Sequence, residues 1–184
     1  MSEKYMLKNH FILIFFFILL FSCSYEKKIN PEFIKLINDN KNSFYLYLVN
    51  DNATTEFFNL FHEHGNNIYD SEGNLIVDYT LSENELIFNY HDINNRIDER
   101  MLGYVIVYKE NINIGKYINK ITIKPDEVGF SLKCHLDTEG SNILYEFTKD
   151  NINKSLAIVF NNNVIAYPRI ILPVKNSLSV WIND

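Results

Sequence analysis

At 184 residues, 47% of them apolar, the chain can form one ordinary domain, or two small ones sharing a core, once any targeting segment is removed. Its formal net charge of -6 argues against nucleic acid as a partner and against electrostatic docking on anionic lipid, which leaves proteins as the expected partners. With only two cysteines, Cys23 and Cys134, a disulfide framework is excluded if either one is otherwise engaged.

Residues 1–23 read MSEKYMLKNHFILIFFFILLFSC, with Lys4 and Lys8 preceding an unbroken apolar run over 11–21, then Ser22 and Cys23. A run of about 11 residues suits a signal-peptide core and is well short of the ~20 that cross a bilayer, so residues 1–22 are expected to be an export signal. The end of that segment, Leu20-Phe21-Ser22-Cys23, resembles the lipobox of bacterial lipoproteins, although Phe21 stands where a smaller residue is commoner. The resemblance implies that Cys23 is lipidated and becomes the new N-terminus, anchoring the protein to an envelope membrane. Several acyl chains, at about 0.8 kcal/mol per buried methylene, hold where one chain binds only marginally. Ser24 in place of an acidic residue fits passage to the outer membrane under the common sorting rule, with the membrane and leaflet left open. Cys134 then remains as a lone thiol, read as a small buried hydrophobe, and the fold rests on its apolar core.

Residues 23–29 form the lipidated cysteine and a polar tether. Asn30-Pro31 offers a cap and a first-turn proline to a short helix whose Phe33, Ile34 and Ile37 repeat at helical spacing up to about residue 38. Residues 43–49 (SFYLYLV) read as a strand buried on both faces. Thr54 or Thr55 can cap a second helix bearing Phe57, Phe58, Leu60 and Phe61, with Gly65 at its C-terminal cap. After a turn over 70–73, residues 74–79 and 85–90 look like strands; Ser82 and Glu85 fit a capping box, but too few periodic apolar residues follow for a helix. The charged stretch 91–100 is expected to be a loop and the boundary between an N-terminal α+β region (30–99) and a second domain (100–184).

Beyond that boundary, 103–108 and 121–123 read as strands, and 128–135 alternates: Val128, Phe130, Leu132 and Cys134 on one face, Ser131, Lys133 and His135 on the other. Asp137 or Thr138 can cap a helix presenting Ile143, Leu144 and Phe147 to a core and ending near Asp150 or Asn151. Strands at 156–160 and 164–167 form a hairpin over Asn161-Asn162-Asn163, since asparagine tolerates the positive φ of a primed turn. Pro168 and Pro173 end or edge the strands that follow.

The order Val128-Gly129-Phe130-Ser131-Leu132, Thr138-Glu139-Gly140, Phe147-Thr148, Asn151, Lys154, Leu156-Ala157-Ile158-Val159, Val164-Ile165-Ala166, Pro168 and Pro173 resembles the head of the large periplasmic domain of SecD. The stretch 103–118, with Asn113-Ile114-Gly115-Lys116, looks like that family's entry strand and glycine-bearing turn. This chain departs from the family at the hairpin turn, where Asp-Gly or Asn-Gly is usual, and at Tyr167, where a small residue commonly precedes the first proline. The resemblance implies an α+β fold, an antiparallel sheet with packed helices, in which Gly140, Leu156, Ala157, Ile158, Val159, Val164, Ile165, Pro168 and Pro173 are structural. It implies contact with exported polypeptides. SecD's proton-coupled activity needs transmembrane helices that do not follow Cys23 here.

No catalytic residue is expected. His62-Glu63-His64 would point its imidazoles ~200° apart on a helix, which argues against a metal site, and His91 and His135 are isolated. The clusters at 98–100 and 124–127 read as solvated loops, and no phosphate loop, nucleophile elbow or cofactor motif occurs. The sequons at Asn52 and Asn153 carry no meaning in a bacterial lipoprotein. The expectation is a lipid-anchored, non-enzymatic envelope module that binds peptides or envelope proteins, with an exposed strand edge as one route, and a structural or surface-exposed scaffold as the alternative.

Overall fold

The computed structural model describes residues 29–63, 71, 79–93, 99–126 and 129–183. Helix α1 spans Pro31–Asp39, strand β1 Phe44–Val49, helix α2 Asp51–Glu63, β2 Glu85–Ile93, β3 Glu99–Ile112, β4 Ile118–Pro125, β5 Gly129–Leu136, helix α3 Thr138–Asp150, β6 Leu156–Phe160, β7 Asn163–Ala166 and β8 Ser177–Asn183. Single 3-10 turns, Lys41–Ser43 and Ile114–Tyr117, lead into β1 and β4. Five strands close a barrel in the order β1-β3-β2-β7-β6, while β4, β5 and β8 make a separate antiparallel sheet with β5 in its centre. The fold is α+β, and most neighbouring strands run antiparallel. A ring of five cannot alternate direction all the way round, and the necessary parallel pair is β2 with β7.

Strand β1 shows why the barrel and the sheet share a core. Its Phe44 and Leu46 face a cluster with Phe33 and Ile37 of α1, Phe130, Leu132 and Cys134 of β5, Leu144 of α3 and Val180 of β8. On the opposite side, Tyr47 and Val49 enter the barrel with Val105, Val107, Ala157, Val159 and Val164. These interior side chains are mostly small, as a narrow five-stranded ring requires. Strand β6 is buried on both faces for the same reason, with Leu156, Ile158 and Phe160 outside the barrel and Ala157 and Val159 within it. Residues on both sides of position 100 build the barrel, because β1 pairs with β3 and β6, and β2 with β3 and β7.

Local signals act largely as their chemistry dictates. The Asn30 side chain accepts from Glu32 N–H at 2.9 Å ahead of Pro31, and Asp137 accepts from Gly140 N–H at 2.8 Å. In the β6–β7 turn, Asn161 and Asn162 both take positive φ, 47° and 64°, the primed geometry that matches strand twist.

Other expectations need correction. Residues 91–93 and 99–100 are not loop: they continue the β2–β3 ladder, pairing His91 with Met101 and Asp92 with Arg100. Ladder bonds join backbone groups, so a run of charges does not stop them. Helix α2 begins before Thr54, because Asn50 accepts from Ala53 N–H at 3.2 Å and caps it one turn early. Strand β4 extends well beyond 121–123, β7 ends at Ala166, and strand β8 was not anticipated. The expected strand at 74–78 and Gly65, His64 and Val128 lie outside the described residues.

Candidate functional site

Helix α2 is tied to the barrel by both polar and aromatic contacts. Thr54 Oγ1 accepts from Ile106 N–H at 3.0 Å and donates to Ile106 O at 3.2 Å, satisfying both backbone groups of a β3 residue. Its inward face buries Phe57 and Phe61 against Tyr104, with edge-on ring contacts at 5.6 and 5.3 Å. This leaves Phe58, one position round the helix, 45% exposed at the flank.

Beside Phe58 the β2–β3 pairing slips between Tyr90 and His91, where Gly103 takes φ of 152°. The positive φ there favours glycine, while a Cβ would only touch the Phe58 ring at an ordinary 3.8 Å, so backbone conformation and not space selects the residue. The result is a groove of about 270 Å³ lined by Phe58, Tyr90, Leu102, Gly103, Tyr104 and Tyr167. Leu102 and Tyr167 are 37% and 40% exposed, and Tyr167 meets Tyr90 edge-on at 4.9 Å. Tyr167 is the residue that stands where the SecD-like pattern has a small one, so this departure builds one wall. Asp51, Thr54 and Thr55 form a polar rim. Such a groove can take up apolar or aromatic side chains and orient them by a few polar contacts.

A second cleft, of about 630 Å³, opens where β1 and β3 fall out of register between Tyr47 and Val49. Its walls include Asn50, Asn84, Tyr108, Glu110, Phe147 and Lys154. The Asn50 amide donates to Glu85 at 2.6 Å, and Ser82 N–H donates to the other oxygen of that carboxylate at 3.1 Å. Burial pushes the Glu85 carboxyl up, but these hydrogen bonds outweigh it and hold the group below its ordinary value. The Ser82–Glu85 pair thus makes half of a capping box, at the entry to a strand rather than a helix. The amines at the cleft are engaged elsewhere, Lys109 with Glu83 O and Lys154 with Asn151 Oδ1.

Cys23 lies outside the described residues. Gly140 sits in the first turn of α3 directly against Tyr117, with an added Cβ meeting the ring's Cγ at 2.9 Å and Tyr117 Cβ closer still. Leu156, Ala157, Ile158 and Val159 are the buried run of β6, Val164 is buried and Ile165 half-buried in β7. Pro168 O accepts from Leu156 N–H at 2.9 Å, and Pro173 precedes Val174, whose N–H reaches Thr148 Oγ1 at 2.8 Å. His62 is exposed and stacks edge-on with Phe58 at 4.3 Å; among the described residues no three metal-ligating side chains converge. Burial pushes the Cys134 thiol up to about 12.

Two residues escaped sequence reading. Ser141 and Thr148 belong to the buried stripe of α3 beside Gly140 and Leu144, whereas Ile143 and Phe147 are only half-buried. Ser141 Oγ bonds Asn176 through both N–H (3.0 Å) and Oδ1 (3.1 Å), and Thr148 takes Val174 N–H, so α3 holds the segment leading to β8 by polar contacts. A closed barrel has no edge; the three-stranded sheet leaves β4 and β8 outermost, and Lys120, Lys124 and Pro125 of β4 guard its edge against pairing with another strand.

Residues 90–180 match the family described as SecDF, P1 head subdomain, and this C-terminal region is SecD-head-like. Two solved structures resemble the chain. One is SecDF, a membrane component that enhances protein export, at a TM-score of 0.41 and 17% identity, over 80% of this chain and 58% of that one. The other is SecDF in its super-membrane-facing form, at a TM-score of 0.41 and 16% identity, over 80% of this chain and 17% of that one. No curated protein shows significant similarity to the chain.

Proposed function

We propose that this chain, whose C-terminal region is SecDF-head-like, is a lipid-anchored, non-enzymatic protein of the bacterial envelope that binds exported polypeptides before they fold. The observation that carries this reading is the groove of Phe58, Tyr90, Leu102 and Tyr167, an aromatic hollow open to solvent beside a rigid barrel. An unfolded chain differs from a folded one in showing large apolar side chains, and burying one such side chain gains about 1.5–3 kcal/mol. That gain suits weak, reversible capture. On the polar rim, the Asp51 carboxylate and the Thr55 hydroxyl oxygen can accept from backbone N–H groups that an extended segment brings with it. The Cys23 anchor would hold the groove near the membrane from which such segments emerge.

Crosslinking in intact cells followed by affinity capture tests the proposal, with Cys23→Ala and the double variant Phe58→Ser, Tyr167→Ser as comparators. Enrichment of exported chains by the wild-type protein, diminished in the groove variant, is the expected result. Equal capture by both forms would remove the groove from the function, and no capture of exported chains by either would leave the scaffold role. Loss of membrane association in Cys23→Ala tests the anchor separately.

A further inference from the structure

The register of the three-stranded sheet aligns three rows across its outer face: Lys120–His135–Ser177, Thr122–Lys133–Ser179 and Lys124–Ser131–Trp181. Phe130, Leu132, Cys134, Leu178 and Val180, which alternate with these residues, are buried on the inner face. The outer grid therefore holds three lysines, a histidine, four hydroxyl side chains and the chain's single tryptophan, and no carboxylate. In a chain of net charge -6, this is a local reversal of sign. The described carboxylates nearest in sequence, Asp126 and Asp137, sit in the turn and the helix cap at the ends of β5, and Asp137 is engaged with Gly140 N–H. Trp181 is 65% exposed, flanked along its row by Ser131 and Lys124.

We propose that this face docks on an anionic lipid surface. Thr122 and His135 bond each other at 3.0 Å, and the remaining groups suit that partner: lysines attract lipid phosphates, serine hydroxyls donate to phosphate and ester oxygens, and an exposed indole settles at the boundary between headgroup and acyl chain. Neighbouring strands ~4.8 Å apart and same-face residues ~7 Å apart along each strand give a shallow platform rather than a hollow, which fits a surface better than a small anion. The proposal rests on the anchored reading, since six residues between Cys23 and Asn30 reach at most ~25 Å and keep the domain beside a membrane. The expectation from net charge does not decide this, because docking responds to the face presented, within a Debye length of about 8–10 Å, and not to the whole-chain sum.

Trp181 makes the test direct, because all tryptophan emission comes from this face. The full chain is reconstituted into phosphatidylcholine vesicles and into vesicles rich in phosphatidylglycerol, and emission maximum and acrylamide quenching are compared. A blue shift and reduced quenching only in the anionic vesicles, reversed by high salt, is expected. Each Lys→Gln change at Lys120, Lys124 or Lys133 should weaken docking about fivefold, and the triple variant about a hundredfold. Identical emission and quenching in the two lipids, with wild-type protein, would overturn the proposal. So would equal protection in phosphatidylcholine on adding a soluble anionic polysaccharide, which would assign the face to a polymer instead. Flotation with phosphatidylcholine vesicles reports the anchor independently: failure to float would sink the anchor, while an unchanged Trp181 signal in floated protein would sink only the docking face.

Discussion

Gly140 shows how much one missing carbon can decide. Alanine is the better helix former by about 1 kcal/mol, yet a Cβ at this position would run into Tyr117 while the Asp137 cap holds the helix start in place. Gly140→Ala should therefore destabilise the protein by about 1–3 kcal/mol, seen as a lower urea midpoint with an unchanged slope. The turn asparagines behave oppositely. Asn162 sits at φ 64°, so Asn162→Gly should be neutral or slightly stabilising, whereas Asn162→Val should cost about 1–2 kcal/mol. Cys134 gives a pH dependence whose sign is fixed by burial. Its thiol is raised from 9.0 to about 12, so the folded protein holds that proton more tightly than the unfolded chain does. Stability from this group is whole below about pH 9 and is lost as pH climbs towards 12. In mildly alkaline solution iodoacetamide should label Cys134 only after unfolding; rapid labelling of native protein would contradict the buried placement. These residues were legible in the sequence as a buried cysteine, a turn of asparagines and a motif glycine, because each acts through its immediate neighbours.

At the scale of elements, polar side chains do the joining that periodicity does not reveal. A helical stripe is read from its apolar members, and Ser141 and Thr148 fall silent in such a reading although both are buried. Their partners, Asn176 and Val174, lie far along the chain past two prolines, where no local pattern points back to α3. Thr148→Val keeps the volume but removes the acceptor for Val174 N–H, so that amide should exchange markedly faster with solvent deuterium while the β6 amides stay protected. Thr54→Val should cost about 1–3 kcal/mol and loosen α2, because it removes the acceptor for Ile106 N–H, while Ile106 O keeps Asn50 N–H at 2.9 Å. The groove was not legible at this level either. It needs Phe58 from α2, Tyr90 and Leu102 from a slipped hairpin and Tyr167 from past β7, and only the unusual Tyr167 stood out in advance.

For the whole molecule, the family match and the folding unit have different limits. Residues 90–180 include β3 and β6, whose shared neighbour β1 comes from residues 44–49. An excised 90–180 segment would lose β1 and residues 85–89 of β2, opening the barrel and exposing strand edges that the full chain pairs. It should elute as oligomers with poorly dispersed amide resonances, whereas the chain from residue 24 onward should elute as one discrete species. A monomeric, well-dispersed 90–180 segment would show instead that β1 and the first half of β2 are dispensable. The α+β class and most elements could be read from the sequence, since patterning and caps are local. Barrel closure, the parallel β2–β7 pair and strand β8 could not, because each depends on a partner remote in the chain.

The β1–β6 seam also sets an order of events. Phe44 emerges from the ribosome early and must wait for Phe160 before the ring can shut. Until then β1, apolar on both faces, has no permanent neighbour on that side, and the large loop to be closed makes the step slow. A chain built this way stays open for most of its synthesis. The same seam that stabilises the finished barrel thus delays it, and keeps the newly made polypeptide pliable until the last strands of the ring have been made.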